Sequence, residues 1–230
     1  MRLGLFLLPS LLVLGSCALP INSATSSSSK GGSDVAISNS EVITSEPFEY
    51  GENYIATHLG NEYEITYSYS TKSNGVVAEP LLITSAHNAS GYYIKDNADT
   101  EALFLKDGTT YVVYMPNEEG QLALVPDLRL DEENVKGYST SFLSYMSIYE
   151  IAKDDLVEDG NESIAGRTCQ KYVFHASYVA SAIDLHYSID IATGVCLRYE
   201  ATAVTGADTS AFQFLCTVFK TSGVVLPSHI

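Results

Sequence analysis

Ile183-Asp184-Leu185-His186-Tyr187-Ser188-Ile189-Asp190-Ile191-Ala192-Thr193-Gly194-Val195-Cys196-Leu197-Arg198-Tyr199-Glu200-Ala201-Thr202 reads as one β-hairpin. In its first arm Leu185, Tyr187 and Ile189 alternate with His186, Ser188 and Asp190. In its second arm Val195, Leu197 and Tyr199 alternate with Cys196, Arg198 and Glu200. A period of two marks a strand with one face buried and the other in water. Asp190 to Gly194 supplies the turn, because an Asp side chain caps it and Gly accepts the positive φ. Burying six apolar side chains contributes about 1.5–3 kcal/mol each before entropy is subtracted. A two-stranded hairpin cannot keep such a face dry alone. A larger sheet or a helix across it is required.

The flanking sequence supplies that sheet. Glu62–Thr71 alternates cleanly, with Tyr63, Ile65, Tyr67 and Tyr69 on one face. Further strands are expected over Val76–Ala86, Tyr92–Lys95, Ala102–Lys106, Thr110–Met115 and Gln121–Val125, with a hairpin at Asp107-Gly108. After the middle of the chain they resume at Ile164–Phe174, Ile183–Asp190, Val195–Ala203 and Ser210–Phe219. Two helices are expected. One holds Phe48, Tyr54, Ile55 and Leu59 and stops at Gly60; the other spans Tyr138–Lys153, with Phe142, Tyr145, Met146, Tyr149 and Ile151 at mostly helical spacing. Asp131-Glu132-Glu133 and the acidic stretch Asp154–Asp159 read as solvated connections. The expected class is therefore α+β, a strongly curved antiparallel sheet (an incomplete β-barrel) wrapped over a few helices.

The 230-residue chain divides into a leader, a tether and one domain of ordinary size. Residues 1–16 read as a secretion signal, with Arg2 as its positive start and Leu3–Leu14 as an apolar run short for a membrane span. Leu14-Gly15-Ser16-Cys17 is similar to the lipobox of bacterial lipoproteins, and Cys17 is then the acylated residue. Cleavage after Ala18, at the small-x-small site Ser16-Cys17-Ala18, is the competing reading and leaves no anchor. The lipobox is favoured because a tether follows directly. Residues 17–45 are Ser-rich and hold too little apolar surface to offset ordering entropy. Residues 46–230 form the domain.

A net charge of −16 argues against nucleic acid and against a polybasic grip on anionic lipid. Its ordinary meaning is solubility. Sixteen Tyr and eight Phe with no Trp suit pleated strands; a Tyr-rich carbohydrate platform is the other reading.

Ile164-Ala165-Gly166-Arg167-Thr168-Cys169-Gln170-Lys171-Tyr172, then Tyr187-Ser188-Ile189-Asp190, then Thr193-Gly194-Val195-Cys196-Leu197-Arg198 form an ordered set of short motifs. This order resembles the carboxy-terminal part of bacterial lipoproteins with the outer-membrane lipoprotein carrier (LolA/LolB-like) fold. The resemblance covers about residues 162–220; earlier in the chain it rests on element order. It implies an incomplete barrel whose apolar concavity takes lipid or acyl chains, and it assigns no transfer role to any residue. On a tether, such a domain is expected to receive or hold cargo at the outer face of a bacterial membrane.

Chemical motifs are sparse. His58, His87, His175, His186 and His229 are scattered, and no zinc-protease, Cys-x-x-Cys, nucleophile-elbow or phosphate-loop pattern occurs. Asp96, Asp99 and Glu101 lack the Gly of a calcium loop. No catalytic residue, metal or cofactor is expected, and the chain is read as a non-enzyme. Beyond Cys17, the thiols are Cys169, Cys196 and Cys216. In an oxidising compartment one disulfide is the default. Side-chain facing favours Cys169–Cys196, although a simple meander would place a strand between them.

Two functions follow. In the first, Leu185, Tyr187, Ile189, Val195, Leu197 and Tyr199 line a groove for a lipid or other amphiphile. In the second, the domain is an exposed envelope protein that binds a protein or glycan and no small molecule.

Overall fold

A computed structural model describes residues 50, 52–137, 155–178 and 181–230. One helix, α1 (Glu52–His58), precedes β1 (Tyr63–Ser73), β2 (Val76–Val77), β3 (Leu81–Asn88), β4 (Gly91–Asp96), β5 (Glu101–Asp107), β6 (Thr110–Pro116) and β7 (Leu122–Leu130). The second half holds β8 (Val157–Ile164), β9 (Arg167–Tyr178), β10 (Ser181–Asp190), β11 (Cys196–Thr205) and β12 (Asp208–Lys220). All pair antiparallel in one 12-stranded sheet of order β7-β6-β5-β4-β3-β1-β12-β11-β10-β9-β8, with β2 beside β1. The sheet is open, and β7 and β8 are its edges.

Both edges carry features that discourage further pairing. In β7, Pro126 lacks an amide donor, Asp127 has φ 63° and the register against β6 shifts. In β8, acidic residues are exposed and the register against β9 shifts around Gly160.

The sequence expectations hold for most strands and fail at three places. Val76–Ala86 is two strands, because Pro80 cannot donate to a ladder and separates β2 from β3. The supposed acidic connection is strand β8 from Val157 onward, its charges being those of an edge. Asp131 is a helix cap: its Oδ1 accepts the Asn134 amide at 2.8 Å, residues 132–137 are helical and Val135 is buried. The expected helix over Tyr138–Lys153 lies outside the described residues. Helical cover among the described residues is thus α1 and residues 132–137, less than the few helices expected.

The core has two clusters. The larger gathers Leu59, Tyr63, Ile65, Tyr67, Ile189, Val195, Leu197 and Phe214 among others. The smaller joins Tyr92, Phe104, Tyr111 and Val113 to Val135. Helix α1 docks on the β10–β11 turn, where Tyr54 donates to the Ile191 carbonyl at 3.1 Å. Gly194, at φ 75°, packs beneath it. A Cβ there would meet the Tyr54 ring at 2.7 Å, so the turn needs Gly for both its conformation and its space.

The hairpin contains a bulge. Ser188 faces Arg198, but Ile189 faces Cys196, so Leu197 is an extra residue. Tyr67 donates its phenol hydrogen to the Cys196 carbonyl at 2.6 Å, tying β1 to this kink. The bulge moves Cys196 to the face of Ile189, not that of Arg198. The disulfide expectation is corrected by the same geometry. Cys169 pairs with Asp190 and Cys196 with Ile189, adjacent residues of β10 that point to opposite faces. With β10 between them their backbones are two strand spacings apart, about 9–10 Å, beyond disulfide reach. All three described cysteines are free and buried. Burial pushes the Cys169 and Cys216 thiols up to about 12 and raises Cys196 as well, so they remain protonated and poor nucleophiles.

Candidate binding site on the inner face

The β10–β11 turn that anchors the site is held by a buried carboxylate. Arg167 donates to Asp190 through Nε at 3.2 Å and through its terminal nitrogen at 2.8 Å, while the Thr193 hydroxyl donates at 2.6 Å. The guanidinium also lies 5.4 Å from the Phe219 ring centroid. The Gly-Arg, Ile-Asp and Thr-Gly motifs therefore meet in space as one structural lock. Sequence alone places Asp190 in the turn but does not reveal its partner 23 residues earlier.

From this lock an aromatic row crosses the sheet. Tyr69 faces Phe214, Phe214 faces Tyr199, Tyr199 faces Tyr187 and Tyr187 faces Tyr172, on β1, β12, β11, β10 and β9. Tyr187 and Tyr199 stack at 4.9 Å with 9° between their planes, and Tyr69 lies 4.6 Å from Phe214. Cross-strand aromatic pairs of this kind contribute about 0.2–1 kcal/mol each relative to Ala pairs.

Of the six residues expected to line a groove, five are packed core. Tyr187, Ile189, Val195, Leu197 and Tyr199 are buried, Leu197 at 0% exposure. A side chain without exposed surface offers none to a ligand, so the groove assignment is corrected for these five. Only Leu185 is half-exposed. The open part of the face lies one row nearer the hairpin ends, where Thr71, Phe212, Ala201, Leu185 and Phe174 follow one another across five strands. Phe212, Leu185 and Phe174 are half-buried there, and Ile183 and Ala203 extend the strip along the face. Phe174 and Phe212 were legible as strand residues. Their alignment with Leu185 was not, because it depends on the pairing registers of β9 to β12, one of which shifts at the hairpin bulge.

One phenol in the row is unusual. Tyr187 is 1% exposed, and burial together with its stacked neighbour Tyr199 raises its pKa.

The opposite face carries a polar depression of about 160 Å³. Arg198 there forms a two-pronged pair with Glu162 at 3.0 and 2.8 Å, Ser188 also donates to Glu162, and Lys171 pairs with Asp159 at 2.7 Å. His186 lines it but is exposed. His175 lies 2.6 Å from Asp184, with both side chains largely in solvent. Asp96 accepts the Ala98 and Thr100 amides, and Glu101 binds Tyr93 and Lys95, so those carboxylates build a turn and a strand pair. No group of three or more metal-ligating side chains occurs among the described residues, nor does any helix long and apolar enough to cross a membrane. Cys17 lies outside the described residues.

No protein-family model matches the sequence, and no curated protein is similar to it in sequence. Among solved structures, the chain is similar to the Pseudomonas aeruginosa MucA/MucB complex at 14% identity and a TM-score of 0.36. That match covers 76% of this chain and 56% of the other, so this chain spans little more than half of its length. The lipoprotein LppX of Mycobacterium tuberculosis is similar at 14% identity and a TM-score of 0.29, over 70% of this chain and 89% of that one. A LolA-superfamily protein from Nitrosomonas europaea is similar at 10% identity and a TM-score of 0.23, over 77% and 94%. Likeness at this distance fixes neither family nor ligand.

Proposed function

We propose that the chain is a lipid-anchored extracytoplasmic protein that holds a lipid or other amphiphile against the inner face of a curved sheet. The observation that carries this reading is the half-open apolar strip of Phe212, Leu185 and Phe174, continuous with a packed aromatic row. Apolar surface held on a rigid ladder suits a chain-like apolar ligand, whose burial contributes about 0.8 kcal/mol per methylene. The five packed residues of the earlier groove expectation then act as its floor. The role is binding, not catalysis.

Leu185→Asp is the test. Leu185 is only partly buried, so the domain should still unfold cooperatively in denaturant. A charge on the strip should lower uptake of the fluorescent apolar probe N-phenyl-1-naphthylamine about 10-fold or more. Uptake unchanged by the substitution would remove the strip from the account. A wild type that takes up no probe and instead recovers a protein or glycan from intact cells would favour the envelope-interaction reading.

The anchor is proposed at Cys17, at the outer face of a bacterial membrane. Cys17→Ser should abolish metabolic labelling with palmitate and release the protein from the membrane fraction. Unlabelled wild-type protein beginning at Leu19 would instead establish cleavage without an anchor.

A further inference from the structure

The polar depression lies on the face of the sheet opposite the apolar strip, so holding an amphiphile makes no use of it. Two rows of side chains stand side by side there. Lys171, Ser188 and Arg198 follow one another across β9, β10 and β11, and Val173, His186 and Glu200 form the next row. From the edge strand β8, whose register shifts around Gly160, Asp159 and Glu162 close one side. Ion pairs fix this frame. Glu162 accepts two bonds from a single Arg198 nitrogen, Nη1, and a third from Ser188, while Asp159 holds Lys171. Side chains already held in this way lose little further freedom when a ligand arrives.

The groups that the frame leaves unused point to a ligand class. Nη2 of Arg198 and the ring nitrogens of His186 have no hydrogen-bond partner among the described residues, and both side chains reach solvent. Glu200 takes one bond from Gln213 through Oε2, which leaves Oε1 as an open acceptor. The formal charges meanwhile cancel in pairs, Lys171 with Asp159 and Arg198 with Glu162. An ion gains little from such a site, least of all an anion on a chain of net charge −16. A neutral molecule whose hydroxyls each donate and accept can use both kinds of free group. The volume, about 160 Å³, lies below the range for drug-sized ligands and limits the occupant to one small ring. We propose that this depression binds one neutral sugar ring, with Arg198 Nη2 and His186 donating to adjacent hydroxyls and Glu200 Oε1 accepting from them. The site is independent of the amphiphile reading, because it occupies the other face of the same strands.

The test uses the isotope-labelled full chain in the Cys17→Ser background. Methyl glycosides of glucose, galactose, mannose and N-acetylglucosamine are titrated in, and the backbone amides of Ser188 and Arg198 are followed by NMR. At least one glycoside should bind saturably, with the millimolar dissociation constant of a small ligand on a shallow site. His186→Ala and Glu200→Ala each remove one contact from an accessible surface. Both should weaken that glycoside about 5-fold or more and keep a cooperative thermal transition. Tighter binding of the glycoside than of the free sugar would mark a linked unit of a glycan as the source, and the reverse a free monosaccharide. Sodium sulfate or glucuronate bound as tightly as the best glycoside would overturn the proposal in favour of an anion site. So would glycosides that shift neither amide, or that bind both variants as tightly as wild type. Those failures leave the amphiphile reading standing, since it is tested at Leu185.

Discussion

Asp190→Ala should lower the stability of the domain by about 3–5 kcal/mol, the range for breaking a buried ion pair from one side. The carboxylate side chain is 2% exposed and accepts three hydrogen bonds, two from Arg167 and one from Thr193. Its removal strands the Arg167 guanidinium beside Phe219 and frees the turn that Gly194 and Tyr54 pack against. Arg167 is 29% exposed and can partly rehydrate, which moves the expectation toward the lower end. Urea melts of Asp190→Ala, Arg167→Ala and the double variant would separate the terms. The double variant should lose less than the sum of the singles, because the stranded charge is gone. Additive losses, or a loss below about 1 kcal/mol for Asp190→Ala, would mean that the pair does not lock the turn.

Leu197→Ala should cost about 2–5 kcal/mol, since a fully buried side chain is replaced by a cavity. Leu197 has 0% exposure and sits in the hairpin bulge, under the same cluster that holds Ile189, Val195 and Tyr67. The pleat pattern led to the opposite expectation, an open groove with one side of Leu197 free of protein atoms. Chemical denaturation distinguishes the two. A loss well under about 1 kcal/mol would restore the groove at Leu197. A loss in the cavity range places the ligand face one row further out, at Leu185.

The two expectations for Leu197 show where sequence periodicity stops being informative. Alternation correctly separates Leu185, Tyr187 and Tyr199 from His186, Arg198 and Glu200, because β10, and β11 beyond its bulge, keep a period of two. Yet a bulge adds one residue without any mark in the residue pattern, and it turns Cys196 inward. The disulfide reasoning failed at that residue. Strand β8 was hidden for a different reason: an edge strand needs no apolar alternation, so Val157–Ile164 resembles a wet loop. The motif Asp190…Thr193-Gly194 was legible as a turn because its bonds are local. The Arg167 clamp was not, since only sheet order brings β9 beside β10. The open strip is legible least of all. Its members Phe174, Leu185 and Phe212 come from three strands, and their alignment depends on pairing registers that no local pattern encodes.

Native mass spectrometry of the chain purified gently from its own host tests the central claim most directly. The account predicts a retained adduct of lipid-like mass on the wild type that is absent from Leu185→Asp at equal foldedness. A wild type that carries no adduct, and acquires none when incubated with hexadecanoic acid or its methyl ester, would contradict it.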